Sequence, residues 1–332
     1  MKTSELLYKR FLRGCLGLCF RAATPLEIWN MSSKLNVIAL ISGGKDSLFS
    51  ILHCLANEHR VVAIANLYPQ EQPLDGGEDI DSYMYQTVGH SIVPLYEEAL
   101  GIPLYRQPIR GSAINTSSVY APAAERDVSR GPVEEDDETE SLVPLLRRVV
   151  AAHPDADALS TGAILSTYQR TRVESVALRL GLTPLSYLWQ YPSLPPYTQT
   201  ALLTDMRAVG QRSRIVKVAS GGLDEGFLWE DVSDERVVRK LQTRMARFGA
   251  GDGAVLGEGG EFETLALDGP DVLWKRCIQV DVKEIVRGGG GSAVVRLGQG
   301  KAVEKIGQWS LIPMRDIQWT LPSVTTESSW LS

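Results

Sequence analysis

The stretch Val37-Ile38-Ala39-Leu40-Ile41-Ser42-Gly43-Gly44-Lys45-Asp46-Ser47 decides the fold of this chain. Its first five residues form an apolar run without alternation, which is typical of a strand buried on both faces of a parallel sheet. Residues 46–57 then carry leucine and isoleucine at helical spacing. The sequence therefore predicts a buried strand, a tight glycine turn and a helix, in that order.

Strand and helix patterns continue to alternate along the chain. Further strands are predicted at 61–67, 103–109 and 157–164, with helices at 82–100, from the acidic run 134–138 to about 152, and at 167–181. This alternation predicts an α/β fold, a Rossmann-like (HUP-type) parallel sheet with helices on both faces. Prolines at 191–196 mark a candidate domain boundary. A smaller α/β C-terminal domain is predicted from helices at 198–209 and 234–248 and strands at 214–219 and 277–286.

The glycine turn Ser42–Ser47 has the chemistry that phosphate binding needs. Its two glycines allow the backbone to approach an anion closely, and the N–H groups at the helix start point at that anion. Lys45 adds a positive charge, the serines add hydroxyl donors, and Asp46 can hold a magnesium ion or cap the helix. The turn is not a Walker A loop, because Asp46 follows Lys45 where serine or threonine is required.

Composition excludes several classes of protein. The chain has 332 residues, of which 44% are hydrophobic and 22% charged, so it is globular and long enough for two domains. Its four cysteines include no C-x-x-C pair, and its four histidines lack metal-ligand spacing. We therefore expect no dedicated metal cage and a reducing, cytoplasmic location. The absence of a long apolar run and the net charge of -6 lead us to expect neither a membrane nor a nucleic-acid partner.

Four segments carry a family resemblance. Ser42–Ser47 resembles the signature of the PP-loop ATP pyrophosphatases, and three more resemble hallmarks of the diphthine–ammonia ligase (diphthamide synthetase) family. Those three are Asp79–His90, Gly162–Glu174 and Gly257–Leu265. The resemblance covers about residues 35–285.

This resemblance implies the last step of diphthamide synthesis. The carboxylate of diphthine, a modified histidine of elongation factor 2, becomes an amide through an acyl-adenylate, with release of AMP and pyrophosphate. It implies ATP with Mg²⁺ as co-substrate, with Asp46 as the candidate protein ligand of the metal. Ammonia or ammonium is the nitrogen donor, and diphthine-bearing elongation factor 2 is the protein partner.

The resemblance and the local patterns together give a set of candidate site residues. The catalytic candidates are Lys45, Asp46, Arg170 and Glu261. The candidates for binding ATP and pyrophosphate are Ser42, Gly43, Gly44, Lys45, Asp46, Ser47, Tyr168, Gln169 and Arg170. The candidates for binding the acceptor are Tyr83, Tyr85, Gln86, Glu258, Gly259, Gly260, Glu261 and Glu263.

Two of these groups have ordinary structural alternatives. The helix start at 168–170 follows a strand, where ligands bind in open α/β sheets. Arg170 and Glu174 share a helix face and can pair, so a plain surface helix is the alternative. The stretch Gly257–Glu263, here called the glutamate loop, is too rich in glycine for a helix. It can aim its acids at the cationic trimethylammonium of diphthine or at ammonia, and a solvated acidic turn is the alternative.

The same segments divide the chain into four predicted parts. Residues 1–33 are an N-terminal extension that is disordered or a non-native start, with a weak mitochondrial-type presequence as the alternative. Residues 34–192 form the PP-loop ATP-binding domain, 193–287 a smaller acceptor-binding α/β domain, and 288–332 a partly disordered tail. The chain departs from the family in having Leu256 where a cysteine often stands, and we expect the two RidA-like domains of many eukaryotic members to be missing.

Other functions remain open at this point. A PP-loop enzyme that modifies tRNA shares the phosphate loop, but it usually has paired cysteines and a basic surface. A nucleotide-binding protein without catalysis, or an inactive partner-binding fragment, would keep the same fold. Release of AMP separates a catalyst from either of these.

Overall fold

The computed structural model describes residues 34–69, 88–115, 117–118, 120, 137–248 and 254–305. From Leu35 onward these residues group into one compact unit. The predicted extension at 1–33 and the candidates Tyr83, Tyr85 and Gln86 lie outside the described residues. None of the described helices is long and apolar enough to span a membrane.

The described residues form nine strands, six α-helices and five short 3₁₀ turns. The strands are β1 (Asn36–Leu40), β2 (Arg60–Tyr68), β3 (Leu104–Pro108), β4 (Ala158–Ser160), β5 (Thr183–Leu185), β6 (Arg212–Val218), β7 (Phe262–Asp268), β8 (Cys277–Arg287) and β9 (Ala293–Val303). The helices are α1 (Lys45–Ala56), α2 (Leu95–Leu100), α3 (Leu142–Ala152), α4 (Thr167–Arg179), α5 (Ala201–Ala208) and α6 (Glu235–Arg247). The 3₁₀ turns lie at Glu138–Ser141, Tyr191–Ser193, Glu225–Phe227, Ala254–Leu256 and Gly289–Gly291.

The first sheet is parallel throughout, in the order β3-β2-β1-β4-β5. Successive residues of β1 face opposite sides of this sheet. Ile38 packs in a core cluster with α3 and α4, whereas Ala39 packs in another with α1 and α2. Helices therefore cover both faces, and the predicted Rossmann-like α/β fold is confirmed.

The helix predicted over 82–100 is much shorter in its described part. Residues 88–94 form turns, and α2 begins only at Leu95. Gly89 has a φ of +81°, a left-handed conformation that interrupts a right-handed helix. Pro94 precedes the first residue of α2, a position where proline is tolerated because it needs no N–H partner.

The second sheet is antiparallel, in the order β7-β6-β9-β8. Apolar residues of β6, β7 and β9 share one core cluster with α1, α2, α5 and α6. The smaller C-terminal α/β part is thus packed directly on the phosphate-loop helix. This shared core brings the second sheet to the candidate site.

The structure differs from the predicted tail at 288–332, because Ala293–Val303 forms β9, which pairs with both β8 and β6. Two glycines in this strand weaken its alternating pattern in the sequence. A Cβ at Gly300 would lie 2.7 Å from a terminal methyl of Leu95 on α2, so that side chain would have to shift to accommodate any other residue. The glycine that weakens the pattern in the sequence thus leaves room for the Leu95 side chain on this strand.

Candidate active site

The carboxyl ends of β1 and β4 lie side by side where the strand order of the first sheet reverses. β1 leads into the phosphate loop and α1, whereas β4 leads into residues 161–166 and α4 on the opposite face. Open α/β sheets bind ligands in the crevice at such a reversal. A Cβ on Gly162 would lie 2.6 Å from the amide nitrogen of Ser47, so only glycine allows these two loops to approach so closely.

The second sheet holds the turn of the phosphate loop in place. Gly43 has a φ of +92°, which glycine adopts without strain. Its carbonyl oxygen accepts hydrogen bonds from the amide of Ala266 on β7 at 2.8 Å and from the hydroxyl of Tyr96 on α2 at 2.9 Å. The hydroxyls of Ser42 and Ser47 accept bonds from the loop's own amides, at 3.3 Å and 3.4 Å. In this structure both hydroxyls therefore stabilise the turn itself.

The ammonium of Lys45 lies between the phosphate loop and the glutamate loop. Lys45 is only 3% exposed, and its Nζ donates to Oδ2 of Asp46 at 2.7 Å and to the main-chain oxygen of Leu256 at 2.5 Å. Oε1 of Glu258 lies 4.0 Å from the same nitrogen. The ring of Phe262 contributes its face, with the centroid 5.6 Å away. Residues more than 200 positions apart thus meet at one cation.

Two buried side chains of the second sheet hold the main chain of Lys45. Oγ1 of Thr264, on β7, accepts a hydrogen bond from the Lys45 amide at 3.1 Å. Nε2 of Gln211, directly before β6, donates to the Lys45 carbonyl at 2.8 Å. Both Thr264 and Gln211 are buried.

The pKa values of the two carboxyl groups around Lys45 are raised by their surroundings. Burial raises the pKa of Asp46, and the Lys45 charge acts in the opposite direction. The pKa of Glu258 is raised well above its usual range, first by burial and then by the charge of Asp46. Oδ1 of Asp46 is buried and has no hydrogen-bond partner among the described residues. Such an oxygen is the kind of ligand that Mg²⁺ takes, so the residues present fit an added cation.

A cavity of about 300 Å³ adjoins this cluster. It is lined by Ile164, Leu165, Ser166, Ala254, Glu258, Gly259 and Glu261. The amide of Gly259 donates to Oε2 of Glu261 at 2.9 Å, and Gly260, with a φ of +79°, turns the chain before Glu261. The cavity is therefore bounded by the loop after β4 on one side and by two carboxylates of the glutamate loop on the other.

The third acid of the glutamate loop has a different position. Glu263 pairs with Lys217 across the β6–β7 ladder, at 3.3 Å. Its neighbours in β7, Phe262 and Thr264, are the residues that contact Lys45. Because successive strand residues face opposite sides, Glu263 faces away from Lys45. The structure thus separates Glu263 from the other acceptor candidates.

The candidates Gln169 and Arg170 lie in the first turn of α4, which follows the cavity residue Ser166. Oγ of Ser166, a cavity residue, caps α4 by accepting from the amide of Gln169 at 3.2 Å. Nε of Arg170 donates to Glu174 at 2.5 Å, which is the pair expected from their spacing. The Arg170 guanidinium also lies over the ring of Trp189, 3.9 Å from its centroid. Arg170 is thus held by two contacts within its own half of the molecule.

Tyr168 is turned toward the core. Its ring lies 3.3 Å from the guanidinium carbon of Arg172, which is fully buried, and packs with the cluster that contains α3. Burial also raises the pKa of the Tyr168 hydroxyl. This arrangement gives no support to the predicted contact of Tyr168 with ATP.

Three residues that contact the phosphate loop have no role predicted from the sequence. Thr264 lay inside a recognised segment, but its hydroxyl carried no local signal. Gln211 and Tyr96 lay outside all four segments. Each contacts the loop across more than 50 residues of chain, a distance that local patterns do not report.

Two family models match the chain. The diphthamide synthase N-terminal domain matches residues 35–184, and the diphthamide synthase C-terminal domain matches residues 200–292. Together the two models cover strands β1 to β4 and most of β5 in the first sheet, β6, β7 and β8 in the second, and both loops that meet at Lys45.

Curated relatives agree with these models. The diphthine–ammonia ligase of Schizosaccharomyces pombe is 45% identical over 258 residues, which cover 78% of this chain and 38% of the relative. The diphthine–ammonia ligase of Homo sapiens is 42% identical over 253 residues, which cover 76% of this chain and 85% of the relative. That of Bos taurus is 42% identical over 252 residues, with the same two shares. The chain thus spans well under half of the S. pombe relative and most of the two mammalian ones.

Proposed function

This chain belongs to the diphthine–ammonia ligase family, and from that premise we propose that it amidates the diphthine carboxylate of elongation factor 2 with ammonia, at the expense of ATP. The observation that carries the proposal is the 4.0 Å approach of Glu258, which lines the cavity, to the ammonium of Lys45 in the phosphate loop. A group suited to pyrophosphate and a cavity suited to a cationic acceptor therefore adjoin each other.

The proposed reaction has two steps. A carboxylate oxygen of diphthine attacks the α-phosphorus of ATP, the bond to the β-phosphate oxygen breaks, and pyrophosphate leaves. Ammonia then attacks the carbonyl carbon of the acyl-adenylate, AMP leaves with the bonding electron pair, and the nitrogen loses a proton. Activation is needed because a free carboxylate is a poor electrophile, whereas AMP is a good leaving group.

Charge accumulates on pyrophosphate in the first step, and Lys45 is the side chain that we assign to it. A buried ammonium stabilises developing charge better than one in water, since it is fixed in advance in a site of low dielectric. Lys45 is held by Asp46 and Leu256 before any substrate arrives. When bound, Mg²⁺ would supply further charge neutralisation for the phosphates, with the buried Oδ1 of Asp46 as its protein ligand.

The geometry also supports different roles for the two acids of the cavity. Glu258 lies near both Lys45 and Asp46, so we assign it to the nucleotide side. Glu261 is bonded within its own loop and lines the cavity, so we assign it to the trimethylammonium of diphthine or to ammonium. This assignment refines the expectation that the whole glutamate loop serves the acceptor.

The test is direct amidation. The protein is incubated with diphthine-bearing elongation factor 2, ATP, Mg²⁺ and ammonium, and the acceptor peptide is analysed by mass spectrometry. We expect one amide and one AMP per acceptor, and neither product with unmodified elongation factor 2. Absence of the amide under these conditions, with ATP bound, would overturn the proposal.

The relatives do not favour the tRNA-modifying or non-catalytic alternatives. Elongation factor 2 as partner and a cytoplasmic location follow from the proposed reaction and stay predictions. Co-purification of the protein with diphthine-bearing elongation factor 2 from a cytoplasmic fraction would test both.

A further inference from the structure

We propose that Thr264 and Gln211 are positioning residues that set the place of Lys45 from the second sheet. The proposal rests on the proposed function, because it concerns the lysine assigned to pyrophosphate. It extends that function by making the C-terminal half of the chain a part of the phosphate-binding machinery. The phosphate loop would then depend on two side chains that lie more than 160 residues beyond it.

The hydrogen bond to Thr264 comes from an amide that has no partner within its own helix. Lys45 is the first residue of α1, and the first four amides of a helix have no partner within it. The Lys45 amide donates instead to Oγ1 of Thr264, at 3.1 Å, in a buried setting. This side chain therefore fixes the point at which the helix begins.

The bond to Gln211 fixes the other main-chain group of the same residue. Nε2 of Gln211 donates to the Lys45 carbonyl at 2.8 Å, and the side chain is 2% exposed. Its Oε1 is buried without a hydrogen-bond partner among the described residues, which is costly. An apolar residue of the same size would avoid that cost, so the bond to Lys45 is the compensating feature.

These two bonds act together with the one at the far end of the side chain. Nζ of Lys45 donates to the main-chain oxygen of Leu256, which precedes β7 by six residues. The lysine is thus held at its amide, its carbonyl and its ammonium by the C-terminal half of the chain. A shift of about 1 Å in a catalytic group can reduce turnover by about 100-fold. By fixing the position of Lys45, the second sheet can therefore affect the turnover rate.

A pair of substitutions at Thr264 separates positioning from packing. Thr264→Val keeps the shape but removes the acceptor, whereas Thr264→Ser keeps the acceptor but removes a buried methyl group. We expect Thr264→Val to lower kcat about tenfold and weaken binding of pyrophosphate with Mg²⁺ about fivefold, with KM for the acceptor changed less than about twofold. Thr264→Ser should restore both values to within about threefold of the wild type, although its thermal unfolding midpoint falls as far as that of Thr264→Val. Thr243→Val is the matched control, because the Thr243 hydroxyl is exposed and bonds to its own helix.

A purely structural role predicts a different pattern. Activity would then follow the unfolding midpoint, and Thr264→Ser would be as impaired as Thr264→Val. That result, or full activity in Thr264→Val, would overturn the proposal. If Thr264→Val does not fold, Gln211→Met decides: we expect about a fivefold loss of pyrophosphate affinity, and unchanged affinity in a folded Gln211→Met protein would overturn the proposal.

Pyrophosphate binding also keeps this proposal distinct from the proposed function. It is measured by calorimetry with inorganic pyrophosphate and Mg²⁺, without the protein acceptor. A wild-type protein that binds pyrophosphate but forms no amide would refute the amidation, while the Thr264 series would still test the positioning of Lys45.

Discussion

Lys45 and Leu256 are separated by 211 residues, and the Nζ of Lys45 donates a 2.5 Å hydrogen bond to the main-chain oxygen of Leu256. The acceptor is a carbonyl that every residue type possesses, so the bond does not depend on the side chain at 256. A leucine in place of the cysteine often found in the family is therefore compatible with it. The bond ties the residue directly before the glutamate loop to the phosphate loop before any ligand is bound.

The bond that is cleaved in ATP distinguishes this loop from a Walker A loop. The strand, glycine turn and helix at Ser42–Ser47 lack the Walker A spacing, and the family resemblance points to attack at the α-phosphorus. We predict that AMP and pyrophosphate form in equal amounts during turnover, as measured by chromatography of the nucleotides and a pyrophosphate assay. ADP and phosphate as the stoichiometric products would contradict the assignment.

Replacing Lys45 by methionine tests whether its positive charge stabilises the departing pyrophosphate. Lys45→Met keeps most of the buried chain but leaves Asp46 and Glu258 without their ammonium. We predict that AMP release in a single turnover slows by roughly 100- to 1,000-fold, the usual effect of removing one preorganised charge. Thermal unfolding of the same variant shows whether the fold persists. Turnover close to that of the wild type would remove Lys45 from the mechanism.

The first sheet could be predicted because its signals are local. The apolar run before Ser42 marks a strand covered on both faces, and the glycines that follow mark the turn to α1. The short strand Thr183–Leu185 was missed, since three residues with a central proline give no pattern. The helix predicted over 82–100 was overextended because the left-handed conformation of Gly89 is decided by packing.

The site residues could be predicted from the sequence only where the residue type itself indicates a chemical role. Lys45 and the glutamate loop were found from residue type and family resemblance, but no local pattern places them within 4.0 Å of each other. The roles of Thr264 and Gln211 depend on pairings across more than 160 residues. The opposite orientations of Glu261 and Glu263 follow from where β7 begins, and glycine-rich sequence does not define that point.

A close approach between two loops makes Gly162 sensitive to substitution. The Cβ of Gly162→Ala would lie 2.6 Å from the Ser47 amide nitrogen and 2.8 Å from the Asp46 carbonyl oxygen. Both are backbone atoms, so the clash can be relieved only by moving the main chain. We predict a loss of about 1 to 3 kcal/mol in unfolding free energy and at least a tenfold loss in ATP affinity. Gly289→Ala is the control, because a Cβ there meets nothing within 4 Å. Wild-type affinity in Gly162→Ala would show that the loops can separate without consequence.

The histidine on α1 makes stability depend on pH. Burial lowers the pKa of His53 from 6.5 to about 4, and its ring packs edge-on against Phe49 and Tyr191. Between these two values the unfolded chain binds a proton that the folded chain does not, so unfolding free energy rises with pH. We predict a loss of up to about 3 kcal/mol as the pH falls from 6.5 to 4.

Urea titrations across this pH range would measure the effect of His53. The variant His53→Leu should lose most of the slope with pH, because it removes the group that binds the extra proton. An identical slope in wild type and His53→Leu would assign the pH dependence to other groups.

The two acids of the cavity, Glu258 and Glu261, are predicted to act on different substrates. Glu258 lies 4.0 Å from the Lys45 ammonium, whereas Glu261 accepts its bond from Gly259 within the glutamate loop. We predict that Glu261→Gln raises KM for diphthine-bearing elongation factor 2, lowers kcat, or does both, with ATP affinity changed less than about threefold, or about 0.7 kcal/mol. Glu258→Gln should change ATP affinity by more than that, because it replaces the buried carboxyl group that lies next to Lys45 and Asp46. Calorimetry with a non-hydrolysable ATP analogue and steady-state kinetics with the protein acceptor measure the two effects separately.

The third acid of the loop provides the control for this pair. Glu263 faces the other side of β7 and pairs with Lys217, so Glu263→Gln should change neither ATP affinity nor acceptor KM by more than about twofold. The stability cost of losing a partly exposed ion pair is small, so the variant should fold. If Glu261→Gln abolished ATP binding while acceptor dependence stayed normal, Glu261 would belong to the nucleotide site. The cavity would then serve ATP, because both of its acids would act on the same substrate.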